Sequence, residues 1–497
     1  MVLNMTLIGN ICSSLFPNLS GDSKNREGVR GIDASICFPL LALIISAFVW
    51  LIVATVVGFI ASIKMHSPGF LADHSFLTYG KVAPIFWNSL VYGWLFNAGL
   101  ACAVFLLSRL GGNNVGLGAF LTISITLWNT GVTAGIIGIM WGEQLPFQWL
   151  EFPAFAVPIL FLAFLGIGTW SLLTFRARIH RSSYASQWWI IASIFSFAWI
   201  YTAAQVMLVG TPAQGAIQKL VNSWYVENVF GLFIAPLAFA TLYYLLPKTL
   251  GTAVVGYKYS SWAFWSWFLF ASFSGIADLA NGPIPAWVSS LGVIATFGLL
   301  IPTTTMSIQF LSSLFSCFSV IWDSATARYL FVGCITFLLV MYHKIFGVLR
   351  GSLDITQFSL YDSGVTQLAL FGFAGMTFTG AIYFILPRLL NKELPSTSLI
   401  DLQFWSHLMG LILVSIGLIS GGTQQGELMN GSTAEALVVV KTMQSSFYLT
   451  TIGMVFFIIG AVASGATYIG IMLSTRIQEE NETSLVKEAP ELEYNAS

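Results

Sequence analysis

The chain has 497 residues, of which 56% are hydrophobic and only 8% charged, with a net charge of −1 and a mean hydropathy of +0.81. A soluble domain carries roughly 25% charged residues, and a water-exposed surface this apolar aggregates. Soluble domains, disulfide scaffolds, disordered chains and nucleic-acid binders are excluded, leaving a protein that crosses the lipid bilayer many times.

In chain order, residues 1–35 read as a cytoplasmic segment whose apolar patches are broken by Asn4, Asn10 and Pro17, too interrupted for a secretory signal. A membrane crossing needs about 20 mostly apolar residues, and twelve such runs follow: 36–63, 83–108, 117–141, 154–175, 187–209, 224–246, 261–275, 286–316, 329–346, 365–386, 402–420 and 444–474. The seventh is short before Asp278, and the eighth and twelfth are long enough to tilt. None alternates with period two, so the spans are helices and not barrel strands. Residues 475–497 form an acidic tail, with six Glu against one Lys from Gln478 onward, expected to be a disordered cytoplasmic end. Lys and Arg divide fourteen to six in favour of the side holding both termini, which places the termini in the cytoplasm. The cysteines Cys12, Cys37, Cys102, Cys317 and Cys334 form no CxxC or CxxCH.

The second, sixth and tenth spans resemble one another. They read YGWLFNAGLACAVFLLSRLG from Tyr92, FGLFIAPLAFATLYYLLPKTLG from Phe230 and FGFAGMTFTGAIYFILPRLL from Phe371. Each opens on aromatic-Gly and closes on a base (Arg109, Lys248 or Arg388), and Gly93, Gly231 and Gly372 are 138 and 141 residues apart. A period of four helices is even, so the repeats are parallel. The expected fold is an all-α membrane protein of twelve helices in three four-helix arcs with pseudo-threefold symmetry.

That plan resembles subunit I of the haem-copper oxidases, and the residues fit the cbb-type branch. WYVENVFGLFIAPLAFATLYYLLPK from Trp224 is similar to the helix-6 motif of that branch, LTYGKVAPIFWN from Leu77 to its stretch before helix 2, and FWSHLMGLILVSIGLISGGTQQG from Phe404 to its helix-11 segment. The resemblance covers residues 75–470 and implies a respiratory membrane complex with other subunits. It also implies six histidines for two haems and a copper ion. Those positions fall on Phe86, Glu227, Ala277, Asp278, Val365 and Gln367, and the redox tyrosine falls near Ala271.

The whole chain has five histidines, one fewer than such a set needs. His66, His74 and His180 fall in loops; His343 reads as the outer end of a helix, and His407 as a boundary anchor or an interhelical hydrogen bonder. Haem needs an axial His, Met, Cys or Tyr, and copper wants several imidazoles, so no haem and no copper is expected. The 41 Phe, 17 Trp and 16 Tyr are suitable material to refill the vacated space.

Glu227, Asp278 and Gln367 are expected to converge in the outer part of the bundle, with Asn228, Asn281 and Thr366 as neighbours. An ionisable group within a span is costly and a functional candidate by default. Two buried carboxyls can share a proton or hold a cation, and Glu227 can equally be a structural hydrogen bonder. Three functions therefore stand: a non-catalytic pseudo-oxidase with a structural or regulatory role, proton or cation translocation through Glu227 and Asp278, and an active terminal oxidase with non-standard ligands.

Overall fold

A computed structural model describes residues 24–112, 116–179, 183–279, 282–392, 394, 397–431 and 435–474, with side chains from residue 31 onward. The acidic tail, most of the N-terminal segment, His180 and Asn281 lie outside the described residues. The twelve helices are α1 (Lys24–His66), α2 (Tyr79–Gly111), α3 (Gly118–Trp141), α4 (Ala156–Arg176), α5 (Ala185–Gly210), α6 (Ala216–Leu250), α7 (Ser260–Ser274), α8 (Ala286–Ser316), α9 (Ala325–Gly347), α10 (Leu360–Leu390), α11 (Thr397–Asn430) and α12 (Gln444–Leu473). Eleven of them are long and apolar enough to cross a bilayer. The exception is α7, with 15 residues, which a 3₁₀ turn over Gly275–Leu279 prolongs. Helix α1 starts at Lys24, inside the expected N-terminal segment.

The apolar stretches of α2, α6 and α10 are wholly buried, whereas those of the other eight long spans are 39–56% buried, the rest turned outward. Every fourth helix is thus a central one, and the three meet along an axis. A Cβ added to Gly99 of α2 would stand 3.1 Å from both Leu237 of α6 and Phe378 of α10.

Each central helix contains a π-helical segment: Ser89–Leu95, Val229–Ile234 and Leu368–Gly375. The repeat glycines Gly93, Gly231 and Gly372 all lie in these segments. A π-turn shifts the i→i−4 ladder and exposes a carbonyl, and lipid offers no water to satisfy it. The third helix of each arc supplies the donor. Trp128 Nε1 donates to Tyr92 O at 3.1 Å, Trp267 Nε1 to Gly231 O at 2.7 Å, and His407 Nε2 to Phe371 O at 3.2 Å. The sequence separation is 36 residues in all three pairs.

His407 is therefore no boundary anchor. Helix α11 begins at Thr397, not near residue 402, which carries His407 inward to the level of Phe371. Of the two roles expected for it, interhelical hydrogen bonding is the one observed.

Aromatic rings fill the three bays between a central helix and its arc. In the first, Phe96, Trp128, Phe164, Phe197 and Phe233 come from α2 to α6 in order; Phe96 stacks on Trp128 at 4.9 Å. In the second, Phe239 packs on Trp267 at 4.8 Å and on Phe337 at 5.1 Å, with Phe373 beyond. In the third, Phe371 stacks on Phe457 at 4.2 Å, flanked by Trp94 and His407.

Candidate functional site

Helix α6, the ends of α7 and α9 and the start of α10 bring charged groups together. Glu227 of α6 forms an ion pair with Lys344 near the end of α9. Gly275 at the end of α7 makes room for it, because a Cβ there would stand 2.6 Å from the Glu227 Cβ. The Lys344 ammonium also lies over the Phe230 ring at 5.1 Å, a cation–π contact. Asp278, Asp362 and Lys219 lie within the electrostatic field of this pair. Glu227 and Asp278 lie within coulombic reach of each other, and the Asp278 residue is exposed. Its carbonyl accepts from Gln357 Nε2 at 2.6 Å.

Asn228 and Gln367 make no hydrogen bond to these groups among the described residues. Asn228 Nδ2 donates back to Trp224 O at 2.7 Å, and its buried Oδ1 accepts nothing. Gln367 is buried with Oε1 unpaired. Sequence reasoning missed Lys344 and Asp362. His343, read as a helix end, hydrogen-bonds Tyr361 Oη through Nδ1 at 2.6 Å. Gly422 and Gly426, in the GGTQQG stretch of α11, let the segment before α10 lie against that helix, and Gln425 Oε1 accepts from Leu360 N at 2.9 Å.

A second polar site lies under the loop between α3 and α4. Glu151 is buried there, and its Oε2 accepts from Asn88 Nδ2 of α2 at 2.7 Å. Trp149 adopts a left-handed backbone, φ 62°, rare for a side chain of its size. Its carbonyl accepts from Tyr92 Oη, which also bonds Tyr225 Oη of α6. Asn222 exchanges two hydrogen bonds with the Gln148 backbone. The loop is thereby pinned across the outer ends of α2 and α6.

Burial pushes the Glu151 carboxyl from its ordinary 4.5 up to about 7, with the Asn88 amide opposing. The folded state therefore binds this proton more tightly than the unfolded chain does. Its stabilisation is complete below the unfolded value and is lost as pH rises through about 7. The melting temperature of the detergent-solubilised chain is expected to fall from about pH 5 to about pH 8, a loss of up to ~3 kcal/mol. Glu151→Gln should flatten that part of the profile; an unchanged profile in this variant would assign the pH dependence to another group.

The family model for cytochrome C and quinol oxidase polypeptide I matches residues 39–456. The chain belongs to that family. Among its relatives, the cytochrome c oxidase subunit 1 homolog of Azorhizobium caulinodans is 22% identical over 446 residues, spanning 84% of this chain and 78% of the relative. The cbb3-type cytochrome c oxidase subunit CcoN1 of Stutzerimonas stutzeri is 20% identical over 392 residues, spanning 77% of this chain and 82% of the relative. A haem-copper terminal oxidase dimer solved by cryo-EM shares the fold, with a TM-score of 0.73 at 14% identity over 92% of this chain and 89% of the other.

As a member of the oxidase polypeptide I family, the chain is an integral membrane protein with the twelve-helix plan expected from its repeats. The six positions where the family resemblance puts ligands are arranged as follows. Phe86 is buried, its ring against Gly58, where a Cβ would stand 2.7 Å from it. Glu227 is engaged by Lys344, Ala277 and Val365 are buried and apolar, Asp278 is exposed, and Gln367 is buried. Among the described residues, no three His, Cys, Asp or Glu side chains are grouped so that they could hold a metal ion.

Proposed function

We propose that this chain is a subunit I-like component of a respiratory membrane complex in the inner membrane, with a structural or regulatory role and no haem or copper of its own. The observation that carries the reading is the packing at Phe86. Where the family resemblance puts a haem ligand, a buried phenyl ring packs against Gly58 of α1, so closely that a Cβ there would stand 2.7 Å from it. An axial ligand must offer a lone pair, and neither Phe86 nor Val365 has one. The residues present do not fit these groups.

The fourteen-to-six division of Lys and Arg supports cytoplasmic termini. The test is purification of the full-length chain from cells supplied with haem, followed by absorption spectroscopy and analysis of iron and copper. No Soret band and only substoichiometric metal are expected. One haem or one copper per chain, retained through stringent washing, would overturn the proposal and restore the active-oxidase reading.

A further inference from the structure

We infer that the Lys344 ammonium is the resident cation of the outer carboxylate site, carried on the chain itself in place of any free ion. Glu227, Asp278 and Asp362 put three carboxylates in one electrostatic neighbourhood, and Lys344 and Lys219 are the two cations that answer them. Lys344 is the one in contact. Its Nζ meets Glu227 Oε2 and lies over the Phe230 ring, so the carboxylate and the π face hold it from two sides. The two side chains are only 20% and 25% exposed, which limits screening of the pair by water. Gly275 is part of the construction, since any side chain there would push Glu227 away from its partner.

This arrangement gives a partner to Glu227, one of the two carboxylates standing where the family resemblance places copper ligands. A Lys ammonium is a compact point charge that can answer a carboxylate, and being tethered it gives up rotamer freedom rather than the translational freedom of a free ion. With the Lys344 ammonium on the Glu227 carboxylate, a free cation would have to displace a tethered one there, which argues against cation translocation through Glu227. The inference rests on the cofactor-free reading of the chain, but it is tested by a different measurement.

The test is a double-mutant cycle on the full-length purified protein, comparing the parent with Lys344→Met, Glu227→Gln and the pair combined. Lys344→Met leaves an unanswered carboxylate and is expected to lower the melting temperature by about 5 °C or more. The combined variant should recover most of that loss, which also shows that the fold survives both changes. Additive effects, with the double variant losing the sum of the two single losses, would overturn the inference. Copper(II) added to the parent should give no bound paramagnetic signal at this site; a bound signal that disappears in Glu227→Gln would overturn it as well. Haem content of the same samples reports separately on the cofactor-free reading, so failure of one is not mistaken for failure of the other.

Discussion

Trp267→Ala is expected to destabilise the bundle by about 3–5 kcal/mol, the range for emptying a buried aromatic site. Trp267 is almost completely buried and touches Phe239 of α6 and Phe337 of α9, so its loss opens the second bay along its full width. The more informative variant is Trp267→Phe. It keeps much of the ring volume but deletes the Nε1–H that donates to Gly231 O at 2.7 Å. That carbonyl lies in a π-turn inside a wholly buried helix, where neither water nor lipid can replace the donor. Leaving it unpaired should cost about 1–3 kcal/mol beyond the volume change. Trp128→Phe should behave alike through Tyr92 O, because it holds the same place in its own arc. Unfolding of the detergent-solubilised variants by denaturant measures both. A Trp267→Phe protein as stable as the parent would show that the π-turn does not depend on its indole donor.

The architecture was readable because lipid imposes long apolar runs, and because the aromatic-Gly openings and basic ends of three spans repeat at a nearly constant interval. The hydrogen bonds that hold the π-turns were not readable. Their donors are two tryptophans and a histidine, so no residue type repeats, and only the 36-residue offset shared by Trp128, Trp267 and His407 marks them. Placing His407 failed for a related reason: polar residues at the start of α11 disguise more than a turn of helix, and the apparent boundary moved. At the outer site, Glu227 and Asp278 stood out as acids in apolar surroundings. Lys344, at the end of a span with His343 beside it, looked like an ordinary helix terminus. Nothing along the chain indicates that the end of α9 faces the middle of α6, 117 residues away. Glu151 was hidden more simply, in a loop where a carboxylate is unremarkable until the loop folds over α2.

Where the start of α1 meets the end of α2, Asp33→Leu is expected to be more damaging than Arg109→Met, although both break the same ion pair. Asp33 and Arg109 are each only 7% exposed, and the pair is imperfectly satisfied, with Asp33 Oδ1 and Arg109 Nε and Nη1 lacking partners. Removing one member of a buried pair costs about 3–5 kcal/mol, because the survivor stays charged in a medium of low dielectric. The two survivors have different escapes. An Asp33 carboxyl left alone can take up a proton and become neutral, whereas a guanidinium cannot shed one at any accessible pH. Arg109 also lies in the field of Arg388 at the end of α10, so without Asp33 two like charges face each other unanswered. Asp33→Leu should therefore reach the upper part of that range, and Arg109→Met should fall below it. The combined Asp33→Leu, Arg109→Met protein should return to within about 1 kcal/mol of the parent or exceed it, since a buried ion pair replaced by apolar side chains is often neutral or stabilising. Denaturant unfolding of the three variants at neutral pH measures the order. If Arg109→Met proved the worse of the two single variants, the guanidinium would be contributing something other than charge balance, such as its packing over Phe105 at 5.3 Å.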